Sequence, residues 1–443
     1  MRFAIPLLVG TTACIVIVLS AALYFGENKN ISWSPFFIMS VAIILRFFYV
    51  FRAPELSDDI YRYLWDGLQI LEGNNPYAYA PLDTQPFDDM SADLLKKVNH
   101  PELITIYPPA AQLIFLTGVF MTKSVIGFKT MLCIIDLATC MVIIKILAKM
   151  ELPVWRSVLY AWHPLPVLEI ASSGHIDGAG IFFFLLTIYF LQSMNETEKK
   201  ISSLKESSFL FFAGSALGTA TLVKLYPLFL LPCFFIVTAG FRRLLFGLGV
   251  IASITILTIP FMPDLFKIFD TLGIYLKNWE FSSFAFRTLR NVTSSGSVSR
   301  LFLMLIFLSV GIFVTVRLQR KRMQEESDAL SSRVPKNEQR IEPLLLKNLF
   351  DLFLESLYVI IFSFLLLTPT LYPWYVLSLV SIFPFIAGPV GIIFSWSVFL
   401  SYYIIINYAL LGQWAENDYI PAIIWCVPVF TFLINKLMKY LYR

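Results

Sequence analysis

Charge is scarce in this sequence. Asp, Glu, Lys and Arg make up 14% of its 443 residues, whereas a soluble domain carries roughly 25%, so most of the chain cannot face water. Cysteine is nearly missing: the five, Cys14, Cys133, Cys140, Cys233 and Cys426, all sit inside apolar runs. They have neither the CxxC spacing of a zinc site nor the loop setting of a disulfide framework, and read as small apolar packing residues. The three histidines, His100, His163 and His175, are too scattered to suggest a metal centre. There is no P-loop, no HExxH, no GxSxG and no strand–GxGxxG–helix unit, which removes the usual nucleotide-binding and soluble hydrolase classes. No repeat of solenoid period and no low-complexity tract is found, and a net charge of +4 gives no reason to expect a nucleic-acid partner.

Apolar residues fill the space. They make up 58% of the chain, with 42 Phe and 9 Trp. At ~20 apolar residues per transmembrane helix the chain has room for about ten to twelve spans. The expected fold is therefore all-α: a single integral membrane domain over residues 1–443, built as a polytopic helix bundle. The first apolar run, residues 3–25, is longer than the roughly 7–15 residues of a signal-peptide core and is expected to be an uncleaved span. Several later runs, such as 108–121 and 375–386, are short for a crossing. Broken segments are tolerated only where protein or a watery cavity satisfies their backbone, so the pattern predicts a cavity surrounded by interrupted helices.

Three hydrophilic stretches separate the apolar blocks. Residues 52–107 are acidic in their first half, residues 263–300 are mixed and aromatic (Tyr275, Trp279, Phe281, Phe284, Phe286), and residues 317–347 are basic. Cytoplasmic loops carry the excess of Lys and Arg. That places 317–347, the pair Arg242 and Arg243, and the cluster Lys199, Lys200 and Lys205 in the cytoplasm, with 52–107 and 263–300 outside. The parity requires a hairpin bent at Lys224-Leu225-Tyr226-Pro227. Asn30, Asn195 and Asn291 each open an Asn-x-Ser/Thr triplet, a pattern frequent by chance.

The most informative run is Ser57-Asp58-Asp59-Ile60-Tyr61-Arg62-Tyr63-Leu64-Trp65-Asp66-Gly67. Tyr61, Trp65 and Leu68 recur at helical spacing, so a juxtamembrane helix begins at the acid pair. Ser57 can cap it, and acids are favoured at a helix start by the dipole. The competing reading is a carboxylate held at the membrane surface to accept a proton from a hydroxyl. Gly73-Asn74-Asn75-Pro76-Tyr77 is a turn that feeds aromatic residues into the same loop.

A second group comprises Trp162-His163-Pro164-Leu165-Pro166, Glu169 and Gly174-His175-Ile176-Asp177-Gly178. Ionisable residues at membrane depth are costly and point to function; at the interface the same turn would cost little. The third feature is a recurring Tyr-Pro break: Tyr107-Pro108-Pro109, Lys224-Leu225-Tyr226-Pro227 and Leu371-Tyr372-Pro373-Trp374-Tyr375. An aromatic belt explains most of it, but Lys224, between an apolar half-helix and its break, suits a lipid-linked phosphate.

Together these residues resemble the polyprenol-phosphate-sugar-dependent glycosyltransferases of the GT-C superfamily. The nearest likeness is to the bacterial mannosyltransferase-like group around glycosyltransferase family 87 (DUF2029) and the mycobacterial α-1,6-mannosyltransferases. The paired acid with Tyr-Arg-Tyr, Trp-Asp-Gly and Asn75-Pro76-Tyr77 matches that group's pattern, as do Gly174–Asp177 and Lys224–Pro227, while His163 stands where Asn is usual. The resemblance implies a multi-pass membrane enzyme that moves a hexose, mannose in the nearest group, from a polyprenyl-phosphate donor to a hydroxyl on a glycan or lipid acceptor. Asp58 or Asp59 would be the catalytic base. The resemblance favours Asp58, with Asp59 holding the acceptor or a divalent metal (Mg or Mn) if one is needed. Lys224 and His175 would stabilise the leaving phosphate. Tyr61, Arg62, Trp65, Asn75, Tyr77, Asp177, Tyr226, Tyr372 and Trp374 would line the substrate site. Two rival classes remain from sequence: a secondary transporter or lipid flippase, which shares broken helices but commonly shows internal repeats, and a noncatalytic subunit that binds polyprenyl lipid.

Overall fold

The computed structural model describes residues 4–28, 33–193, 203–331, 347–386 and 388–441; Asn30, Asn195, Lys199, Lys200 and the 332–346 part of the basic stretch lie outside the described residues. The helices run in chain order as α1 (Ile5–Asn28), α2 (Pro35–Val50), α3 (Asp59–Leu71), α4 (Asp89–Leu95), α5 (Pro109–Met121), α6 (Val125–Lys149), α7 (Val158–Ala161), α8 (Asp177–Ser193), α9 (Ser203–Val223) and α10 (Leu231–Val237). They continue as α11 (Gly240–Thr258), α12 (Ile268–Asn278), α13 (Phe284–Thr293), α14 (Gly296–Ser331), α15 (Lys347–Leu367), α16 (Leu377–Val380), α17 (Pro389–Ser397), α18 (Tyr403–Leu411) and α19 (Tyr419–Leu441). Among the described residues the extended pairing is one bridge, between Phe281 and Thr370. Such a fold follows from the composition, because in hydrocarbon each backbone amide must be satisfied within its own segment. Among the described residues, seven helical stretches are long and apolar enough to cross a membrane: α1, α6, α11, α14, α15, the α17–α18 run and α19. Five shorter apolar helices of the described residues stand among them: α2, α5, α8, the apolar part of α9 and the 226–237 segment.

The short helices are interrupted where the sequence removes hydrogen-bond donors. α9 stops at Val223, whose carbonyl would have to accept from the amide of residue 227, a proline that has none. The chain then turns back through Tyr226–Leu230 and α10, forming the expected hairpin. α11 packs on α9 in the same direction, and their backbones touch: a Cβ on Gly249 would lie 2.1 Å from the Phe211 carbonyl oxygen. At α7 the Ala161 carbonyl loses its helical partner, since the Leu165 amide is taken by His163 Nδ1 at 3.1 Å. Arg46 Nη1 replaces it at 2.7 Å, while Arg46 Nε holds Asp136 at 2.7 Å and the Tyr160 hydroxyl donates to Asp136 at 2.6 Å. This buried ion pair is tolerated because each partner has further hydrogen bonds.

α14 sets the long dimension. Its 36 residues at about 1.5 Å each span roughly 54 Å. Near its start Arg300 bonds Glu280; near its end Arg322 bonds the Ile236 carbonyl at the end of α10. The 263–300 stretch and the described part of the basic segment, residues 317–331, therefore lie at opposite ends of the bundle.

The 52–107 loop is folded, not slack. Asp66 accepts from Arg62 Nε at 2.9 Å, Thr105 Oγ1 at 2.6 Å and Gln112 Nε2 at 3.0 Å, all buried. Asp88 and Ser91 form a reciprocal cap on α4. Asn75 Nδ2 donates to the Phe261 carbonyl at 2.9 Å, and the buried Tyr77 hydroxyl donates to the Tyr107 carbonyl at 2.7 Å. The loop is thereby tied to the end of α11.

Candidate active site

Two prolines open the site. Pro164 and Pro166 end α7, and the chain enters a wide π-type turn over Pro166–Ser172, a geometry that accumulates at functional sites. His163 fixes this turn: its Nδ1 accepts the Leu165 amide, so its Nε2 carries the proton toward Ser395 Oγ, 2.9 Å away on α17. The turn closes at Gly174, whose φ of +80° suits glycine. A Cβ there would also lie 2.4 Å from Ile60 Cδ1. Glycine thus lets residues 173–176 press against the start of α3, and His175 arrives beside Asp59.

Five ionisable side chains from three segments meet there. His175 Nδ1 is 3.7 Å from Asp59 Oδ2, and its Nε2 is 3.5 Å from Glu169 Oε2. Both distances exceed hydrogen-bonding range, and both ring nitrogens are buried without a partner. Glu169 is held from behind by the Tyr402 hydroxyl at 2.7 Å. Lys224 Nζ pairs with Asp177 Oδ2 at 3.1 Å and sits over the rings of Tyr107 and Tyr375, 5.8 and 5.5 Å from their centroids. The ring quadrupoles attract an ammonium held over their faces.

The members of the acid pair face different ways. Adjacent residues at a helix start point about 100° apart. Asp58 is the N-cap residue of α3 and is exposed; Asp59 is the first helical residue and its side chain is 19% exposed. The side chain of that N-cap residue, Asp58, makes no capping bond. Ser57 Oγ one residue earlier accepts the Asp59 amide at 3.3 Å and so satisfies the helix start from the serine the sequence pointed to. Burial first, and then the neighbouring Asp58 carboxylate, push the Asp59 carboxyl up to about 6, against the opposing pull of Lys224 and an Asn99 hydrogen bond. The resemblance favoured Asp58, but the geometry turns Asp59 toward His175.

An aromatic wall backs the cluster. His175 stacks on Trp374, with ring centroids 4.0 Å apart; Trp374 stacks on Tyr372 at 4.4 Å, and Tyr372 on Phe281 at 4.6 Å. The Tyr226 hydroxyl is buried and without a hydrogen-bond partner. Of the residues expected to bind substrate, His175, Asp177, Lys224, Tyr372 and Trp374 are brought together here. Arg62, Trp65, Asn75 and Tyr77 are not: Arg62 uses Nε on Asp66 and Nη1 on the Leu103 carbonyl at 3.0 Å, Asn75 and Tyr77 make the loop contacts described above, and Trp65 is packed in the interior. Tyr61 carries Lys97 on its ring at 5.6 Å. Sequence reasoning missed Asn99, whose Nδ2 donates to Asp59 Oδ1 at 2.8 Å and to Asp58 Oδ1 at 3.1 Å, and it missed Tyr402. Neither stands in a motif. Among the described residues no group of three or more His, Cys, Asp or Glu side chains is placed to hold a metal ion.

Fold and site define a class: a multi-pass integral membrane protein with a cluster of ionisable side chains against an aromatic wall at one end of its helix bundle. The sequence profile described as glycosyltransferase family 87 matches residues 105–332, just over half of the 443-residue chain, and the chain belongs to that family. It is accordingly a membrane glycosyltransferase. The match includes His175, Asp177 and Lys224 but begins beyond the acid pair. No curated protein and no solved structure matches the chain.

Proposed function

We propose that the protein transfers a hexose, mannose in the reading closest to its sequence motifs, from a polyprenyl-phosphate donor to an acceptor hydroxyl, with Asp59 as general base. The observation that carries this reading is the convergence of Asp59, His175, Asp177 and Lys224 beside one aromatic wall. A donor delivered through the bilayer also accounts for a glycosyltransferase without a nucleotide-binding motif.

The reaction is a single in-line displacement. Asp59 takes the acceptor proton as the acceptor oxygen attacks the anomeric carbon. The bond from that carbon to the phosphate oxygen breaks, and its electron pair leaves with the phosphate. The transition state is oxocarbenium-like, as in inverting glycoside hydrolysis with the acceptor hydroxyl in place of water. The phosphate departs as an anion, so no second carboxylic acid is needed to protonate it. Lys224 meets the charge that develops on that group in a poorly hydrated setting, where a fixed cation is most effective. Asp177 holds the ammonium in place, and His175, lying between Asp59 and Trp374, fixes the base against the ring wall.

The test is direct. Purified protein in lipid is incubated with polyprenyl-phosphate-mannose, and separately with other lipid-phosphate sugars, and products are scored for a new glycosidic bond. Transfer from wild type, lost in Asp59→Asn, supports the assignment. Transport of the lipid without any glycosidic product would return the chain to the flippase reading.

A further inference from the structure

At the end of the bundle away from the 263–300 stretch, α14 and α15 part around a cavity of about 460 Å³, within the roughly 300–1,000 Å³ of small-molecule sites. Its two walls carry opposite charge. Arg317, Arg320, Lys321 and Gln324 line it from α14 at the three- and four-residue spacing that aligns side chains on one helix face. Asn348, Asp351, Leu352 and Glu355 line it from α15 at the same spacing. The walls approach at one point, where Arg317 Nη2 is 3.8 Å from Glu355 Oε2. That is longer than the roughly 2.7–2.9 Å of a charge-assisted hydrogen bond, so both groups keep donors and acceptors for an occupant. Lys321 faces Glu325 of its own helix at 3.5 Å. Among the described residues, Arg320 and Asp351 have no ion-pair partner.

Both walls run on into apolar surface. One turn before Arg317 and Arg320 stand Phe313 and Val316, and one turn beyond Glu355 stands Val359; all three are exposed. Because α14 and α15 are both long and apolar enough to span, the step from apolar stripe to charged wall marks the level of the lipid headgroups. The excess of Lys and Arg makes this the side expected to face the cytoplasm. We infer that the cavity binds a phospholipid with an ethanolamine headgroup, its phosphate on α14 and its ammonium on α15. The inference stands apart from the glycosyl-transfer reading.

Charge complementarity selects the headgroup. Arginine matches a phosphate through paired donors, and basic pockets between spanning helices on the cytoplasmic side take lipid headgroups. A glycerol headgroup would satisfy α14 but leave Asp351 and Glu355 beside an anion with no cation to answer them. A choline headgroup brings a cation without an N–H to donate. Ethanolamine brings a phosphate and a three-donor ammonium, one for each wall. The acyl chains then follow Phe313, Val316 and Val359, and the lipid bridges α14 to α15.

Native mass spectrometry of the purified protein, offered equal amounts of dioleoyl phosphatidylethanolamine, phosphatidylcholine and phosphatidylglycerol, reads the site without turnover. Wild type should retain the ethanolamine lipid at least fivefold over the other two. Arg320→Gln should lower that retention at least fivefold, and Asp351→Asn should abolish the preference over phosphatidylglycerol. Both residues are exposed and lie outside the catalytic cluster, so both variants should keep the wild-type unfolding temperature in lipid-free detergent. Equal retention of the three lipids, a preference for either of the others, or unchanged retention in both variants overturns the inference. Independently of any variant, phosphatidylethanolamine should raise the wild-type unfolding temperature more than phosphatidylcholine does, and an equal rise overturns it. Free phosphoethanolamine at the same concentration should not displace the lipid; displacement would overturn a lipid as the occupant. Residues 332–346 join the two walls in sequence and carry Arg333, Lys336 and Arg340. Retention that appears only after deletion of residues 334–343 would make that segment the occupant and overturn the inference.

Discussion

The imidazole of His175 lies against the indole of Trp374, ring centroids 4.0 Å apart and planes 19° from parallel. One ring comes from the turn before α8 and the other from the segment after α15, so the stack joins the two halves of the chain at the acid pair. A ring held this way cannot swing toward solvent, and its Nδ1 stays 3.7 Å from Asp59 Oδ2. The catalytic assignments follow from that arrangement.

Asp59→Asn should lower transfer by about 10²–10⁴-fold, the usual loss on removing a general base, while Asp58→Asn should act mainly through acceptor affinity. The two substitutions are nearly isosteric, and Asn99 can still bond either side chain. Single-turnover rates with bound donor separate the two effects. Equal rate losses in both variants would contradict the inward and outward facing of the pair.

The pH profile carries a sign. A base acts only when deprotonated, and burial together with Asp58 raises the Asp59 carboxyl to about 6. The transfer rate should therefore rise with pH through about 6 and level off above it. Removing the neighbouring charge in Asp58→Asn should move the inflection down, because one of the two main influences raising it is gone. Rate measurements between pH 4.5 and pH 8, flanking that value, check both the position and the direction.

Lys224→Ala should weaken donor use strongly while the protein still inserts and folds. Truncating one partner of a desolvated charge pair typically costs about 2–5 kcal/mol, here with Asp177 left unpaired. Donor KM and product-phosphate inhibition report the loss. Lys224→Arg, which keeps the charge but changes its shape, should recover part of it. Donor kinetics unchanged in Lys224→Ala would return this residue to an interfacial anchor.

Arg46→Ala should act on stability and not on chemistry. It leaves Asp136 buried without its cation and the Ala161 carbonyl without its donor; breaking a buried pair costs about 3–5 kcal/mol. A lower unfolding temperature in detergent, with the remaining folded protein retaining its donor KM, is the expected result.

Topology follows from charge. The loop from Asp58 to Tyr107 and the basic segment beginning at Arg317 should face opposite sides of the membrane, the latter cytoplasmic. Cysteine accessibility at substituted positions in both loops tests this. Labelling of both from the same side would overturn the arrangement.

Much of the site was legible because its elements are local. The acid pair, the Gly-His-x-Asp turn and the Lys-x-Tyr-Pro break are each short runs in which several unusual residues stand together, and an ionisable residue in an apolar run is conspicuous. Asn99 had no such signal: it is one polar residue in a polar loop, and its meaning lies in reaching two carboxylates 40 and 41 residues away. Tyr402 was invisible for the same reason, bonding Glu169 across 233 residues. Arg62, Asn75 and Tyr77 show the converse. They stand in a motif beside the acids, yet the hydrogen bonds they make are ones that fold the loop presenting those acids.

The sequence by itself determined the solvent, the secondary structure and the breaks: scarce charge demands a bilayer, a bilayer demands helices, and Pro164, Pro166 and Pro227 interrupt the ladders whose donors they remove. Only the tertiary structure decided which acid faces inward, which lysine and histidine it meets, and which aromatic rings close around it. Those choices depend on contacts between segments far apart in the chain, set by close approaches such as Gly174 on Ile60, and periodicity along a single segment carries no information about them.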